Sequence, residues 1–162
     1  MMKMKLAGMC LMVTVSALLA GCSTVKADGK EQNTEQVKSV ESISENGALG
    51  IAVDDLSETV QFYPVELDGV SMEVMAAKDA AGEIHLAYNT CQVCYSSGNG
   101  YYKQENDMLV CQNCGNRFTI EQLGQEAGGC NPIPITASDY DVAGERIEIP
   151  YSYLARYEGA FR

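Results

Sequence analysis

The feature that most constrains this chain is a repeated cysteine pair. Cys91-Gln92-Val93-Cys94 is followed, after 16 residues, by Cys111-Gln112-Asn113-Cys114. A C-x2-C turn aims both sulfurs to one side, and the N–H groups of the turn point back at them. Two such turns at this separation read as one tetrahedral metal site. Gly115 after Cys114 lets the chain leave with positive φ, whereas Tyr95 holds the equivalent place after the first pair. Cys130 lies in the tight turn Gly128-Gly129-Cys130-Asn131-Pro132, as a fifth sulfur beside the site or a replacement for one of the four.

The rest of the composition removes alternatives. There is one His, so zinc hydrolases, blue-copper centres and Rieske clusters, which need two or three imidazoles, are excluded. Neither pair is followed by His, so c-type haem attachment fails. Four thiolates can still hold zinc, a single iron, Cu(I) or an iron–sulfur cluster, and two disulfides plus a free thiol remain the metal-free alternative. Formal net charge is −11, against a nucleic-acid partner. No Ser-His-Asp set, phosphate loop or framed carboxylate pair is visible, so an electron carrier is a better expectation than a hydrolase or transferase.

The N-terminal segment reads as an address. Lys3 and Lys5 precede an uncharged apolar run from Leu6 to Ala20, which ends Leu19-Ala20-Gly21-Cys22. The run is shorter than the roughly 20 residues of a membrane span and resembles a bacterial lipobox signal. Residues 1–21 are expected to be removed and Cys22 to carry diacylglycerol, anchoring the chain on the extracytoplasmic side of a cell membrane. Loss of Lys3 and Lys5 takes the charge from −11 to −13. Residues 22–46 are poor in apolar side chains and read as a disordered tether with a reach of roughly 25–30 Å. The folded domain is expected over 47–162.

Within it the pattern is that of a small β-rich domain, all-β or α+β. Thr59–Leu67 reads as a strand whose apolar parity flips after Pro64, which suggests a bulge or edge position there. Asp68-Gly69 marks a hairpin. Val70, Met72, Val74 and Ala76 form one face of the return strand. Ile84, Leu86 and Tyr88 alternate with His85, Ala87 and Asn89, so His85 is expected on a solvent face. Met72 and Met75 differ in parity and read as sheet packing. This antiparallel meander runs into a second hairpin that joins the two cysteine knuckles around Glu105-Asn106-Asp107. A helical turn at 120–123, a strand at 146–149 and a short terminal helix (Tyr153, Leu154, Tyr157, Phe161) complete the expectation. Tyr88, Tyr95, Tyr101, Tyr102 and Phe118 read as core packing around the cysteines.

The run Cys91-x-x-Cys94, Gly100-Tyr101-Tyr102, Cys111-x-x-Cys114, Phe118 and Gly128-Gly129-Cys130-Asn131-Pro132-Ile133-Pro134 resembles the FtrD-like family, described as membrane iron–sulfur proteins. The resemblance spans about residues 60–149. It implies an iron–sulfur cluster or single iron held by Cys91, Cys94, Cys111 and Cys114, with Cys130 as a further ligand or close neighbour. It also implies an electron-transfer role linked to iron or copper uptake, with an iron permease or other redox proteins as partners. Long family members carry several membrane helices before the cysteine domain, where this chain has a lipid anchor and tether. The signal lacks a twin-Arg pair, so export of an unfolded chain favours a mononuclear site or zinc.

Two further readings stand beside that one. In the first, zinc takes the place of a hydrophobic core in a domain of this size, and the module mediates protein interaction. In the second, the cysteines form a thiol–disulfide oxidoreductase, which would need a low-pKa thiol.

Overall fold

A computed structural model describes residues 38–162. The expected signal, the Cys22 lipidation site and the first part of the tether lie outside the described residues.

Among the described residues, eleven strands form three sheets. The strands are β1 (Glu41–Ser42), β2 (Ala48–Ala52), β3 (Gln61–Leu67), β4 (Val70–Lys78), β5 (Ile84–Cys91), β6 (Tyr102–Glu105), β7 (Met108–Cys111), β8 (Arg117–Thr119), β9 (Pro132–Ile135), β10 (Asp141–Ala143) and β11 (Arg146–Pro150). One short helix, α1 (Tyr151–Leu154), continues as a 3-10 segment, Ala155–Phe161. The central sheet has the order β1-β3-β4-β5-β9; β10-β11-β2 and β6-β7-β8 form three-stranded sheets on its two faces.

Strand parity sorts the side chains into two cores. Tyr63, Val65, Leu67, Met72, Val74, Ala76, Leu86 and Tyr88 pack against Leu49, Ile51, Ile147 and Ile149 of the first outer sheet and against Tyr153 and Leu154. The opposite parity (Met75, Ala77, Ala87 and Cys91) packs with Val60 against Tyr102, Leu109, Cys111 and Phe118 of the second outer sheet, with Ile120 and Leu123 beside them. Each buried aliphatic or aromatic side chain contributes about 1.5–3 kcal/mol. Met72 and Met75 fall in different cores, as their parity requires. The aromatic residues also divide. The Tyr88 ring meets Tyr153, Tyr157 and Phe161 in the first core, while Tyr102 and Phe118 meet edge-on in the second.

The expected meander is present. Asp68 and Gly69 both take positive φ in the β3–β4 turn, as a two-residue hairpin of this type requires. Three expectations change. The register of β3 on β4 runs unbroken from Gln61↔Ala76 to Leu67↔Val70, so there is no bulge at Pro64. The parity flip arises because β3 is apolar on both faces: Val60 and Phe62 serve one core, Val65 and Leu67 the other. The register irregularity lies instead on β5, between Ala87 and Cys91, opposite Pro134 and Pro132 of edge strand β9, which lack N–H donors for that ladder. Second, the fold begins before residue 47. Glu41 and Ser42 pair in parallel with Val65 and Glu66, Ile43 N–H donates to Glu66 C=O at 3.0 Å, and the Ile43 side chain is buried.

Third, His85 is buried rather than exposed. Its face of β5 is covered by the second outer sheet and the turn that follows it. Nε2 lies 2.9 Å from Asp79 Oδ2 and Nδ1 lies 3.2 Å from the Leu123 carbonyl. Asp79 Oδ1 accepts from the N–H groups of Ala81 and Glu83, so the pair ties the β4–β5 turn to the 120–123 segment. That segment is a 3-10 turn, Ile120–Gln122, closed by a reciprocal Thr119/Gln122 capping box.

Two predictions follow from these contacts. Gly124 has φ +75, and a Cβ there would stand 2.4 Å from the Leu86 carbonyl oxygen. Gly124→Ala is expected to destabilise the protein by about 2–4 kcal/mol in urea unfolding, through strain and clash together. The hydrogen bond with His85, then those from the Glu83 and Ala81 N–H groups, hold the Asp79 carboxyl below its ordinary pKa. A depressed carboxyl stabilises the fold above its unfolded-state pKa of about 3.9, and that contribution is lost as pH falls through the lower folded value. Asp79→Asn is therefore expected to lower the melting temperature near neutral pH and to converge with the wild type once the pH has fallen through the lowered folded-state value.

Candidate metal centre

Each cysteine pair starts at the end of a strand. Cys91 closes β5 and Cys94 follows in its turn; Cys111 closes β7 and Cys114 follows likewise. The β6–β7 hairpin, with Asn106 at φ 59 in its turn, folds the second knuckle back onto the first. Tyr101 C=O accepts from Gln112 N–H at 2.8 Å, and Asn131 C=O accepts from Gln92 N–H at 3.3 Å. Those bonds fasten both knuckles to β6 and to the loop that carries Cys130.

The sulfurs of Cys91, Cys94 and Cys111 all lie within 4.8 Å of one another, and so do those of Cys94, Cys114 and Cys130. Five thiols from three segments thus meet, with Cys94 common to both triplets. Burial is graded: Cys91, Cys94 and Cys111 are buried, Cys130 is half-buried and Cys114 is exposed.

The exits of the two knuckles differ as the sequence suggested. Gly115 takes φ +73 after Cys114. Tyr95 instead opens a 3-10 turn, Tyr95–Ser97, closed by Gly98 at φ 78. The absent glycine after Cys94 is replaced by one four residues later.

Electrostatics separates the five thiols. Burial works against the Cys91 thiolate, but the Tyr102 hydroxyl and the Cys94 and Val93 N–H groups outweigh it and bring its pKa below the ordinary thiol value. The Cys94 N–H stands 3.4 Å from Cys91 Sγ. The Asn113 side chain favours the Cys94 thiolate, yet burial and the neighbouring thiols of Cys91 and Cys114 push that group up to about 11. Burial raises Cys111 to about 11 as well, against N–H groups of Cys114 and Asn113. The Asn116 N–H, with neighbouring thiols, brings exposed Cys114 down to about 7. Its neighbour Cys114 raises Cys130.

The donor set fits a thiolate-bound metal. A single ion with metal–sulfur bonds of about 2.3 Å holds tetrahedral sulfurs roughly 3.8 Å apart, which lies inside the 4.8 Å bound on each triplet. Iron–sulfur clusters use the same four-cysteine donor set. Of the four expected ligands, Cys91, Cys94 and Cys111 stand in one triplet, while Cys114 stands with Cys94 and Cys130 in the other. His85 is committed to Asp79 and Leu123. It forms a second group with Asp79 and Glu83, outside the cysteine site.

The sequence reading did not place Asn89 or Asn116 at the site, and took Tyr102 as core packing alone. Asn89 clamps the Tyr102 backbone, its Oδ1 accepting at 2.7 Å and its Nδ2 donating to the carbonyl at 3.2 Å. Tyr102 itself donates its hydroxyl to the Cys130 carbonyl at 2.9 Å, and Asn116 Nδ2 donates to the same carbonyl at 3.0 Å. The Gly100-Tyr101-Tyr102 run was the available signal. A Cβ at Gly100 would lie 2.5 Å from the Cys94 carbonyl carbon and the Tyr95 nitrogen. Gly100→Ala is expected to push the first knuckle outward and weaken zinc binding by tenfold or more, measured by chelator competition, while circular dichroism still reports a folded chain.

Residues 56–161, more than half of the chain, match the family described as membrane iron-sulfur containing protein FtrD-like. No curated protein and no solved structure matches. No helix among the described residues is long and apolar enough to cross a membrane. The chain belongs to the FtrD-like family of membrane iron–sulfur proteins.

Proposed function

We propose that the protein is an electron carrier whose iron centre, a cluster or a single iron, is held by Cys91, Cys94, Cys111 and Cys114. Diacylated Cys22 anchors it to the extracytoplasmic face of a membrane, where it exchanges electrons with proteins of an iron or copper uptake system. The observation that carries this reading is the convergence of five sulfurs in a chain of an iron–sulfur family. The burial gradient supports it. Cys91 and Cys111 shield one side of the centre from water, and Cys114 leaves the other side open for electron exchange. Bound iron would supply the one-electron couple; the protein supplies thiolates, N–H donors and partial exclusion of water.

The zinc-scaffold reading loses its main motive. A metal that replaces a missing core is unnecessary in a domain with two apolar cores of its own. The thiol–disulfide reading has one observation in its favour, the exposed Cys114 thiol held at about 7 beside other thiols.

The deciding experiment uses the full chain, purified anaerobically in detergent. Iron with visible charge-transfer bands, bleached by dithionite and restored by reoxidation, is the expected result. Cys111→Ser is expected to abolish the bands. The iron-to-sulfide ratio separates a cluster from a single iron. One colourless zinc per chain, unaltered by iron supplementation, would overturn the electron-carrier reading. Reduction of a model disulfide by the metal-free protein, lost in Cys114→Ser, would support the exchange reading instead.

A further inference from the structure

Five sulfurs are one more than a tetrahedral ion can use, and here they fall into two groups. Cys91, Cys94 and Cys111 form one, Cys94, Cys114 and Cys130 the other. Among the described residues neither group takes in a fourth sulfur. A single tetrahedral ion needs each of its four sulfurs roughly 3.8 Å from the other three. Of the four cysteines in the paired motif, Cys114 shares a group with Cys94 alone. Two three-sulfur seats with Cys94 in common use all five.

The two seats are built differently. The inner one belongs to the second core: Cys91 closes β5, Cys111 closes β7, and both are buried together with Cys94. The Cys94 N–H stands 3.4 Å from Cys91 Sγ. The outer seat takes Cys114 from the exposed side of the second knuckle and Cys130 from a separate turn. Gly128 at φ 88 and Gly129 at φ 61 shape that turn. The Cys130 carbonyl accepts from the Tyr102 hydroxyl at 2.9 Å and from Asn116 Nδ2 at 3.0 Å, while Asn131 Nδ2 donates to the Gly128 carbonyl at 3.0 Å. Cys130 is thereby fixed against the knuckles.

Three thiolates suit one kind of ion. Zinc completes its shell with four ligands. Cu(I) is soft, favours thiolates and is satisfied by three of them in a plane. With bonds of about 2.3 Å such a plane sets its sulfurs roughly 4.0 Å apart, inside the 4.8 Å bound on each group.

We propose that the cysteine cluster seats two Cu(I) ions. Cys91, Cys94 and Cys111 hold the inner ion, Cys94, Cys114 and Cys130 hold the outer one, and the Cys94 sulfur bridges them. Each of the five thiols gives its proton to solvent on binding. Copper stays Cu(I), so no electron moves. The inner ion is sealed in the core, and the outer ion, open to water at Cys114, exchanges first. This copper capacity goes beyond the electron-carrier reading and does not depend on iron.

The test uses the full chain in detergent, reduced, metal-free and anaerobic, titrated with Cu(I) against a chromogenic Cu(I) chelator. Two Cu(I) per chain are expected. X-ray absorption should show three sulfurs on each copper and a copper–copper shell. Cys130→Ser and Cys114→Ser each remove a ligand of the outer seat only, and circular dichroism verifies that they fold. Each should bind one Cu(I) and lose the copper–copper shell. Excess chelator should strip the wild type in two phases of equal amplitude, the faster one missing from both variants.

One Cu(I) per chain in the wild type overturns the proposal, as does a loaded wild type without a copper–copper shell. Two Cu(I) in Cys130→Ser overturn it as well, because a site made from the paired motif alone does not need that residue. The iron measurements decide the electron-carrier reading separately. A chain with an iron couple and one Cu(I) keeps that reading and loses this one; two Cu(I) without an iron couple give the reverse.

Discussion

The structure depends on one constraint: β4 and β5 are buried on both faces. A strand with one wet face needs a single covering layer, whereas Met72, Val74 and Ala76 require one cover and Met75 and Ala77 require another. The chain meets the first demand with β2, β11 and the C-terminal segment. It meets the second with the β6–β7–β8 sheet. The second cover also carries Cys111 and sets it against Cys91 at the end of β5. The cysteine cluster is thus a by-product of closing the second core. Its geometry is held by apolar packing as well as by whatever the sulfurs bind.

Much of this was legible in the sequence. The Asp68-Gly69 turn, the β3–β4–β5 meander, the hairpin around Asn106 and the helical tail all follow from local chemistry, and local chemistry is what a sequence displays. The five cysteines stood out by spacing, and the structure brings their sulfurs together. What was hidden depends on long-range layers. The alternation of β5 looked like an exposed polar face because His85 and Asn89 lie on it. Both are buried, and each is hydrogen-bonded to a partner remote in sequence: His85 to Leu123 and Asn89 to Tyr102. The parity flip at Pro64 has the same origin. An apolar pattern on both faces mimics a bulge when only one covering layer is assumed. Strands β1, β2, β8, β9 and β10 were missed: each has five residues or fewer, and the two prolines of β9 and the short run of β10 carry little strand signal by themselves.

The division between fold and site bears on what the metal does. In small domains stapled by zinc the ion is the core, and chelation removes the fold. Here Leu49, Ile51, Ile147 and Ile149 bury themselves on the face of the sheet remote from every cysteine, and Leu109, Phe118 and Leu123 form a second core beside the centre. A fold with its own cores can leave one edge of its centre accessible, with Cys114 and Cys130 incompletely covered. A purely structural ion gains nothing from such exposure. A centre that must exchange electrons, or thiols that must exchange partners, requires it.

The same logic explains why the hydrogen bonds are unevenly distributed among the sulfurs. Cys91, at the end of the central strand β5, is buried, yet the Tyr102 hydroxyl and the Cys94 and Val93 N–H groups favour its thiolate. Cys111, buried to a similar degree, has the N–H groups of its own knuckle but no phenol, and burial prevails. Cys91 and Cys111 hold the same place in their knuckles and are both buried, so the difference has two sources: Tyr102, outside the motif, and the knuckle partners, since Cys94 favours the Cys91 thiolate whereas Cys114 disfavours that of Cys111. A C-x2-C pair specifies where the sulfurs sit. The charge they will tolerate is set in part by residues that a motif does not contain.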